Sequence, residues 1–355
     1  MKVALVLGCN IHWTPYYYLY ERMLASKSIP FDLIIWNREL LKEESLGNVI
    51  PFNLPDVSSS KDPKKFYKFL LFARFVKETV KKNKYDKIVF LGLQGCALPL
   101  RALFYVTKYK YKYWIDIRDY HYEWFKPYYL LEKVAIHYAK EAAISSEGFK
   151  TFLPKERYIH VHNVDPDIVE LRRKYKKNKS ERIRICFIGN VRYLEENKKL
   201  LEIFKNDDRF ELQYNGNGSE VIREYCSKNN IYNVAFSPSF PREETIKYYN
   251  NTDIINNIYG NTSLETTTAL SNKLYYSIYL GIPIIVSSGT YMEQFCKKYG
   301  FVIAFKEDPS FKEDLYEWYK SICLNTSVYD PARELITSEN SEFSKRFLAF
   351  LGESL

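Results

Sequence analysis

The sequence lacks the features that mark membrane-spanning, disulfide-rich and secreted proteins. It has no run of about 18 apolar residues, so we expect no transmembrane helix. Its cysteines form no C-x-x-C pair, which favours reduced thiols in a cytosolic protein over a disulfide framework or a zinc site. They are Cys9, Cys96, Cys186, Cys226, Cys296 and Cys323. The N-terminus has neither an extended basic region nor a small-residue cleavage site, so its apolar residues are predicted to form a buried strand rather than a signal peptide.

What remains is a globular composition with an uneven distribution of charge. The 355 residues are 46% hydrophobic and 27% charged, which excludes disordered, collagen-like and coiled-coil proteins. At roughly 150 residues per domain, this length predicts about two domains. Residues 1–180 carry 32 basic and 19 acidic side chains (+13), and residues 181–355 carry 20 and 24 (−4). Such a split indicates that one half meets an anionic surface, either nucleic acid or a membrane.

Short apolar runs alternate with longer amphipathic segments along the chain, which is typical of βαβ units with parallel sheets. One such helix is predicted over 14–26, with Thr14 as N-cap and Pro15 at the first helical position. Strands are predicted at 3–7, 31–36, 87–91, 113–117, 142–145, 158–161, 183–188, 210–214, 234–236, 254–258, 283–286 and 302–304.

The predicted fold class is therefore α/β, with two tandem Rossmann-like doubly wound domains facing a central cleft. The domains are predicted over 1–170 and 182–335, joined by a polar, highly charged linker over 171–181. Residues 336–355 are predicted to form a C-terminal helix that packs back toward the N-terminal domain. No short internal repeat occurs.

Ligands of open α/β sheets bind beyond the carboxyl ends of the strands, so the loops there are the candidate sites. Gly189-Asn190-Val191-Arg192 follows one predicted strand, where a glycine permits close approach to a phosphate and an arginine offers a forked donor. A simple tight turn explains the same residues. Lys273 falls in the first turn of a predicted helix, where a cation opposes the helix dipole. That conflict is resolved if Lys273 and the helix N-terminus share one anion, such as a diphosphate.

The stretch from Asn272 to Ser287 resembles the pattern N-K-L-Y-E-x-x-x-x-G-x-P-I-I-V-S of the second domain of GT-B glycosyltransferases. It is most similar to those of family GT4 that build capsular and surface polysaccharides. In the same order, 187–192 resembles their donor-phosphate loop, 214–218 their second glycine turn, 236–253 their nucleotide-base segment and 288–293 the loop that meets the donor sugar and diphosphate. Segments 144–149 and 162–165 resemble further landmarks of the family.

The resemblance implies that the second domain binds a nucleotide-sugar and the first binds the acceptor. It implies that amides and cations replace a metal, so that no cofactor and no metal ion is required. The donor-binding residues it implies are Gly189, Asn190, Arg192, Asn215, Gly216, Lys273, Tyr276, Ser288, Gly289, Thr290 and Glu293.

One departure from the family pattern bears on the reaction. Retaining members usually carry two glutamates separated by seven residues, and Tyr276 and Thr268 stand at those positions here. Glu265 is close but out of register. An inverting transfer of a hexosyl or related glycosyl group is therefore favoured slightly over a retaining one.

The segment 114–124 in the first half resembles the R-D-L-W-P segment of GT4-like enzymes that use lipid-linked acceptors. It follows a predicted strand, so its carboxylates should face the ligand. Asp119 is the first candidate for the base that deprotonates the acceptor hydroxyl, and Asp116 is the second. Arg118 would orient one of them or hold an acceptor phosphate. A purely structural Asp–Arg pair is the alternative.

Other candidates of the first half lie in the loop after the first strand. His12 is a candidate base or acceptor contact, although a lone histidine often has a structural role. The acceptor-binding residues predicted are Gly8, Asn10, Arg118 and His121. Asp165-Pro166-Asp167 is a D-x-D sequence, but its position favours a turn over a metal site.

Residues 61–115 hold 14 basic and 3 acidic side chains, with lysines alternating with aromatic residues. This pattern suits an anionic lipid surface. Nucleic acid would use the same charge and stacking, and a solvated lysine face is the simplest explanation. The resemblance favours a membrane, because lipid-linked acceptors are presented at its cytoplasmic face.

The leading hypothesis is a metal-independent glycosyltransferase of surface or capsular polysaccharide synthesis. It would move a sugar from a nucleotide-sugar to a saccharide acceptor that is lipid-linked. We expect it in the cytoplasm, peripheral on the inner face of the plasma membrane, without nucleic acid as a partner. The alternatives are a nucleotide-sugar epimerase of the same architecture and a non-catalytic basic nucleic-acid-binding or scaffold protein.

Overall fold

The computed structural model describes residues 1–56, 64–92, 97–322 and 326–353, and it divides into two compact units. Unit 1 comprises Met1–His162 and Ser338–Leu355, and unit 2 comprises Asn163–Thr337. The predictions for Cys96 and Cys323 concern residues outside the described ranges. Cys9, Cys186, Cys226 and Cys296 are buried thiols.

Unit 1 is built on a parallel sheet of seven strands. They are β1 (Val3–Leu7), β2 (Phe31–Asn37), β3 (Asn48–Asn53), β4 (Lys87–Leu91), β5 (Tyr113–Ile117), β6 (Glu141–Ile144) and β7 (Ile159–His160). The order is β3-β2-β1-β4-β5-β6-β7. β1, β2 and β5 are buried along their whole length, as expected for strands covered on both faces. The chain order reverses between β1 and β4, which is where ligands of such sheets bind.

The helices of unit 1 are α1 (Tyr17–Ser26), α2 (Lys64–Asn83), α3 (Ala102–Lys108) and α4 (Lys126–His137). α1 begins three residues later than predicted, after a short 3-10 helix over Ile11–Trp13. The prediction of Thr14 as N-cap is wrong, because its hydroxyl donates back to the carbonyl of Asn10 at 3.2 Å.

Unit 2 repeats the architecture with a parallel sheet of six strands. They are β8 (Ile183–Ile188), β9 (Phe210–Asn215), β10 (Val234–Ser237), β11 (Ile254–Asn257), β12 (Ile284–Ser287) and β13 (Val302–Phe305). The order β10-β9-β8-β11-β12-β13 reverses between β8 and β11. The two parallel sheets confirm the predicted fold class, two Rossmann-like α/β domains in tandem.

The helices of unit 2 are α5 (Ile168–Lys174), α6 (Leu194–Ile203), α7 (Ser219–Lys228), α8 (Thr245–Asn250), α9 (Leu264–Thr268), α10 (Asn272–Leu280), α11 (Tyr291–Lys297) and α12 (Phe311–Ile322). Alternate residues of the strands pack into two separate hydrophobic clusters. Ile284 and Val286 belong to the cluster with α10 and α11, whereas Ile285 belongs to the cluster with α6 and α12. This alternation covers both faces of the sheet with helices.

The last helix, α13, spans Asp330–Leu351. Its residues from Ser338 onward belong to unit 1. There the ring of Phe347 meets the rings of Tyr20 and Trp114 edge to face, with centroids 5.0 and 5.2 Å apart. Aromatic pairs of this geometry stabilise beyond the area they bury.

The boundary between the units differs from the linker expected over 171–181. The chain enters unit 2 at Asn163, whose amide donates to Asn272 at 2.7 Å, and α5 packs against α10. Further on, the backbone amides of Lys176 and Asn178 donate to Asn250 at 3.0 and 2.8 Å. The backbone of the expected linker thus bonds to unit 2, although most of its side chains are exposed. Within the described ranges, no helix combines the length and apolarity needed to cross a membrane.

Candidate functional site

The reversal of strand order in unit 2 brings together the ends of β8 and β11 and the start of α10. Lys273 lies in the first turn of α10 with only 7% of its surface exposed. Its ammonium group donates to the hydroxyl of Tyr259 at 2.8 Å and lies 3.6 Å from the centroid of the Phe187 ring. Phe187 belongs to β8 and Tyr259 follows β11, so Lys273 sits at the switch point itself.

The charge of Lys273 has no counter-ion within the described ranges. Burial, together with the positive charge of Arg192, lowers its pKa from 10.5 to about 7. A buried ammonium group without a carboxylate is costly, and an anion placed beside it removes that cost. The site therefore has the electrostatic character of an anion-binding site.

Arg192 supplies a second cation close to this site. Its guanidinium lies 5.7 Å from the ring centroid of Tyr193, which stacks on Tyr259 with centroids 4.6 Å apart. Tyr193 holds a left-handed conformation, with φ of +60°, immediately before α6. Arg192 is exposed, and no carboxylate pairs with it in the part of the chain that the structure describes. The sequence thus identified both cations, while it missed the Tyr193–Tyr259 stack that connects them.

The loops after β8 and β9 approach each other through backbone alone. The amide of Gly189 donates to the carbonyl of Asn215 at 2.9 Å. A Cβ on Gly216, whose φ is +136°, would lie 1.9 Å from the carbonyl oxygen of Gly189. Over Gly189 itself, a Cβ would meet no heavy atom within 4 Å. Gly216 is thus required for the close approach, and the space over Gly189 is open to a ligand.

We predict that Gly216→Ala lowers the free energy of unfolding by about 2–4 kcal/mol, because it adds both backbone strain and a steric clash. Gly300→Ala is the matched control, since Gly300 has φ of +83° but nothing within 4 Å of the added Cβ. It should cost only about 1 kcal/mol of strain. Urea denaturation of the two variants measures the difference, and equal losses would contradict the clash.

Asn215 at the end of β9 adds an unused donor. Its side chain is 3% exposed, and its amide nitrogen has no hydrogen-bond partner among the described residues. A buried donor without an acceptor costs about 1–3 kcal/mol, and a ligand oxygen would remove that cost. Asn190, also predicted to bind the donor, lies exposed in the loop after β8.

Hydrogen bonds among its own residues stabilise the loop after β12. The hydroxyl of Thr290 caps α11 by accepting from the amide of Glu293 at 3.2 Å, and it donates to the carbonyl of Ser287 at 2.9 Å. The carboxylate of Glu293 accepts from the amide of Gly289 at 2.7 Å. Ser288 and Gly289 are exposed. The predicted contacts of this loop with a donor stay predictions. For the Gly289 amide to donate to a ligand, its hydrogen bond to Glu293 would have to break.

Tyr276 makes contacts of its own within unit 2, and its predicted role in donor binding stays a prediction. Its hydroxyl donates to Asp165 at 2.6 Å, and its ring stacks on Tyr249 with centroids 4.5 Å apart. Asp165 also accepts from Arg242 at 2.7 Å. The D-x-D sequence forms a turn, in which the amide of Asp167 donates to Asp165 at 2.9 Å.

In unit 1, Asp116 and Arg118 form a buried ion pair. Nε of Arg118 lies 2.7 Å from one carboxylate oxygen, and Nη2 lies 2.9 Å from the other. Tyr20 donates to the same carboxylate at 2.6 Å, and Asp116 is fully buried. Asp116 therefore lacks a free oxygen for proton transfer, and the structural alternative describes this pair better than the predicted roles as base and acceptor contact.

Asp119 differs from Asp116 in the exposure and the contacts of its carboxylate. It is half-buried, and it makes no hydrogen bond or ion pair with any residue of the described ranges. Burial lowers the pKa of His121, while the carboxylate of Asp119 acts in the opposite direction, so the two side chains interact. The backbone amide of His121 donates to Glu123 at 2.6 Å. Asp119 therefore retains its place as the first candidate base, with His121 beside it.

The loop after β1 is mostly structural. Asn10 is fully buried, and it donates to Asn37 at 2.8 Å and to Glu43 at 2.6 Å. Its side-chain oxygen accepts two backbone amides, so this side chain holds the loop, and its predicted role in acceptor binding stays a prediction. Gly8 is buried. His12 is exposed and lies 3.4 Å from Glu39, so its predicted role stays a prediction.

No group of three or more His, Cys, Asp or Glu side chains that could hold a metal ion occurs in the described ranges.

Comparisons with known proteins establish the fold. No protein-family model matches the sequence, and no curated protein matches it. Solved structures do match along almost the whole chain. Sucrose-phosphate synthase from Thermosynechococcus elongatus has a TM-score of 0.71 at 10% identity, covering 98% of this chain and 99% of that one.

Two further structures show the range of proteins with this architecture. WaaG, a glycosyltransferase involved in lipopolysaccharide biosynthesis, has a TM-score of 0.61 at 12% identity, covering 97% of this chain and 98% of its own. UDP-GlcNAc 2-epimerase from Neisseria meningitidis, bound to UDP-GlcNAc, has a TM-score of 0.63 at 12% identity. The match covers 98% of this chain and 100% of the epimerase chain. The chain therefore has the two-domain Rossmann-like GT-B fold found in glycosyltransferases and in a nucleotide-sugar epimerase.

Proposed function

We propose that the protein is a glycosyltransferase that moves a sugar from a nucleotide-sugar to a saccharide acceptor. The observation that carries this proposal is the buried Lys273, which has no counter-ion and lies at the switch point of unit 2. Nucleotide-sugars carry a diphosphate, and the diphosphate is also the leaving group whose negative charge grows during transfer.

The donor site is proposed to stabilise that leaving group without a metal ion. Lys273 and Arg192 would neutralise its charge, and the N-terminal amides of α10 add the positive end of the helix dipole. Asn215 would donate its unused amide hydrogens to a donor oxygen. Such groups are oriented before the reaction begins, so they stabilise the transition state with little reorganisation.

The acceptor hydroxyl is proposed to be activated by Asp119. As the hydroxyl oxygen bonds to the anomeric carbon, its proton passes to the carboxylate of Asp119, and the bond from the anomeric carbon to the diphosphate oxygen breaks. A direct displacement of this kind inverts the anomeric configuration. The Asp116–Arg118 pair would hold the start of the loop that carries Asp119.

A lipid-linked acceptor and a peripheral position on the inner face of the plasma membrane complete the proposal, with surface or capsular polysaccharide as the product. Large apolar side chains are exposed in the basic half of the chain, including Leu103 at 74% and Trp124 at 70%. Exposed aromatic residues among lysines favour an anionic lipid surface. Flotation with anionic liposomes at low salt tests the proposed membrane association, and absence of binding would contradict it.

The central test is a melting-temperature screen with free UDP, GDP, ADP and CDP, followed by the sugar derivatives of whichever nucleotide binds. A ligand at 100 times its Kd should add roughly 2.7 kcal/mol to the free energy of unfolding. Turnover of the donor should then require an acceptor saccharide. A screen in which none of the four diphosphates shifts the melting temperature would contradict the donor site, and acceptor-independent change of the donor sugar would indicate an epimerase.

A further inference from the structure

A cavity of about 570 Å³ opens in unit 2 where α10 ends and β12 begins. This is the amino edge of the sheet, whereas Lys273 and the loops described above lie at the carboxyl edge. The residues that line the cavity do not include Lys273 or Arg192. Its volume falls within the range of about 300–1,000 Å³ that is usual for small-molecule sites.

Positive charge dominates the lining of this cavity. Arg333 donates from Nε to the carbonyl of Ile278 at 2.8 Å and from Nη1 to Asp330 at 2.6 Å, while its Nη2 makes no hydrogen bond within the described ranges. Arg172 lines the same cavity and has no ion-pair partner there. Lys177 also lines it, but its ammonium group already pairs with Asp253 at 2.9 Å.

The two arginines affect each other. Burial lowers the pKa of Arg333, and the positive charge of Arg172 lowers it further. Two guanidinium groups that repel one another in a partly buried cavity are stabilised by an anion that bridges them, and the planar fork of arginine suits phosphate oxygens.

Aromatic rings supply the rest of the surface. Tyr175, Tyr279 and Tyr329 line the cavity. Gly281 ends α10 in a left-handed conformation with φ of +71°, and a Cβ there would lie 3.8 Å from Nη2 of Arg333 and 3.9 Å from the ring of Tyr329. Without a side chain, Gly281 leaves Nη2 of Arg333 uncovered on this side of the cavity, whereas Tyr329 is only 2% exposed.

We infer that this cavity binds an organic phosphate, with its phosphate group between Arg172 and Arg333 and its ring against Tyr279. Tyrosine faces contact flat rings favourably. The site is independent of the proposed donor site, since the two share no residue.

Phenyl phosphate is the simplest probe, because it combines a dianion with a ring and lacks a diphosphate. Isothermal titration calorimetry should show binding to the full-length protein. Arg172→Ala should weaken it about tenfold, the loss of one charge-assisted contact. Arg173→Ala is the matched control, since Arg173 is the exposed neighbour on α5 and does not line the cavity. Inorganic phosphate and benzyl alcohol should each bind more weakly than phenyl phosphate.

Four outcomes would overturn the inference. Absence of binding at millimolar phenyl phosphate removes the site. Equal weakening by Arg173→Ala means that surface charge alone attracts the probe. Loss of binding in Lys273→Met places the probe in the donor site. Equal affinity for inorganic phosphate excludes the contact between the ring and Tyr279.

Discussion

Replacing Lys273 with Met should abolish the binding of nucleoside diphosphates and, at the same time, raise the stability of the ligand-free protein. The first effect follows because the buried ammonium group is the charge proposed to meet the diphosphate. The second follows because Met fills a similar volume among Phe187 and Tyr259 without the cost of burying an unpaired cation. We expect Kd to rise at least a hundredfold, the loss of about 2.7 kcal/mol.

Urea denaturation and calorimetry measure the two effects separately. Lys247→Met is the control, because Lys247 is an exposed lysine of the same unit in an ion pair with Glu244 at 3.6 Å. Its replacement should change the free energy of unfolding by less than about 0.5 kcal/mol and leave diphosphate binding unchanged. A less stable Lys273→Met protein would mean that the ammonium group stabilises the fold rather than the ligand.

The same lysine predicts a distinctive pH dependence. In the folded protein its pKa lies near 7, and in the unfolded chain it returns to 10.5. Between these values the unfolded state binds more protons, so the free energy of unfolding should rise with pH through this window. The rise amounts to about 1.4 kcal/mol per pH unit at its steepest. It should be absent in Lys273→Met, and the difference between the two proteins isolates it from other groups that titrate there.

Diphosphate affinity should change with pH in the opposite direction. Above pH 7 the free site loses its charge, so binding must first restore the proton, and the affinity falls. In Lys273→Arg the side chain stays charged at all these pH values, and the decline should vanish. A wild-type affinity that is constant from pH 7 to pH 9 would contradict a neutral Lys273 in the free protein.

The sequence predicted the sheets well because parallel strands covered on both faces are continuous apolar runs. β1, β5 and β8 begin and end within one residue of the expected positions. β3 escaped prediction because it is an edge strand. Its residues are all exposed or partly exposed, and Pro51 interrupts its apolar pattern. Proline is tolerated there because only one side of an edge strand needs hydrogen-bonded partners.

The candidate donor site leaves a clearer signal in the sequence than the candidate acceptor site, for a physical reason. A lysine in the first turn of a helix contradicts the helix dipole, and that local conflict is visible in the sequence. The partners of Asp116, Asn10 and Tyr276 are set by the fold instead. Tyr20, which donates a hydrogen bond to Asp116, is 96 residues away from it in the sequence. Asp165, which accepts a hydrogen bond from Tyr276, is 111 residues away from it. The sequence indicates which side chains could take part in catalysis or binding, but it does not indicate which of them form hydrogen bonds or ion pairs with distant residues in the fold.

Asp119→Asn should lower turnover by about 10²–10⁴-fold while leaving nucleotide-diphosphate binding unchanged. The amide cannot accept the proton of the acceptor hydroxyl, yet it preserves the size of the side chain. The donor site lies in unit 2, so the melting-temperature shift with the nucleotide should equal that of the wild type.

Asp116→Asn separates this effect from damage to the fold. Asp116 is buried and bound by both Arg118 and Tyr20, so its replacement leaves a buried guanidinium without its counter-ion, at a cost of about 3–5 kcal/mol. Activity lost in Asp116→Asn should therefore accompany lost stability, whereas Asp119→Asn should remain as stable as the wild type. Turnover within about twofold of the wild type in Asp119→Asn would remove Asp119 as the base, because a general base contributes at least a hundredfold.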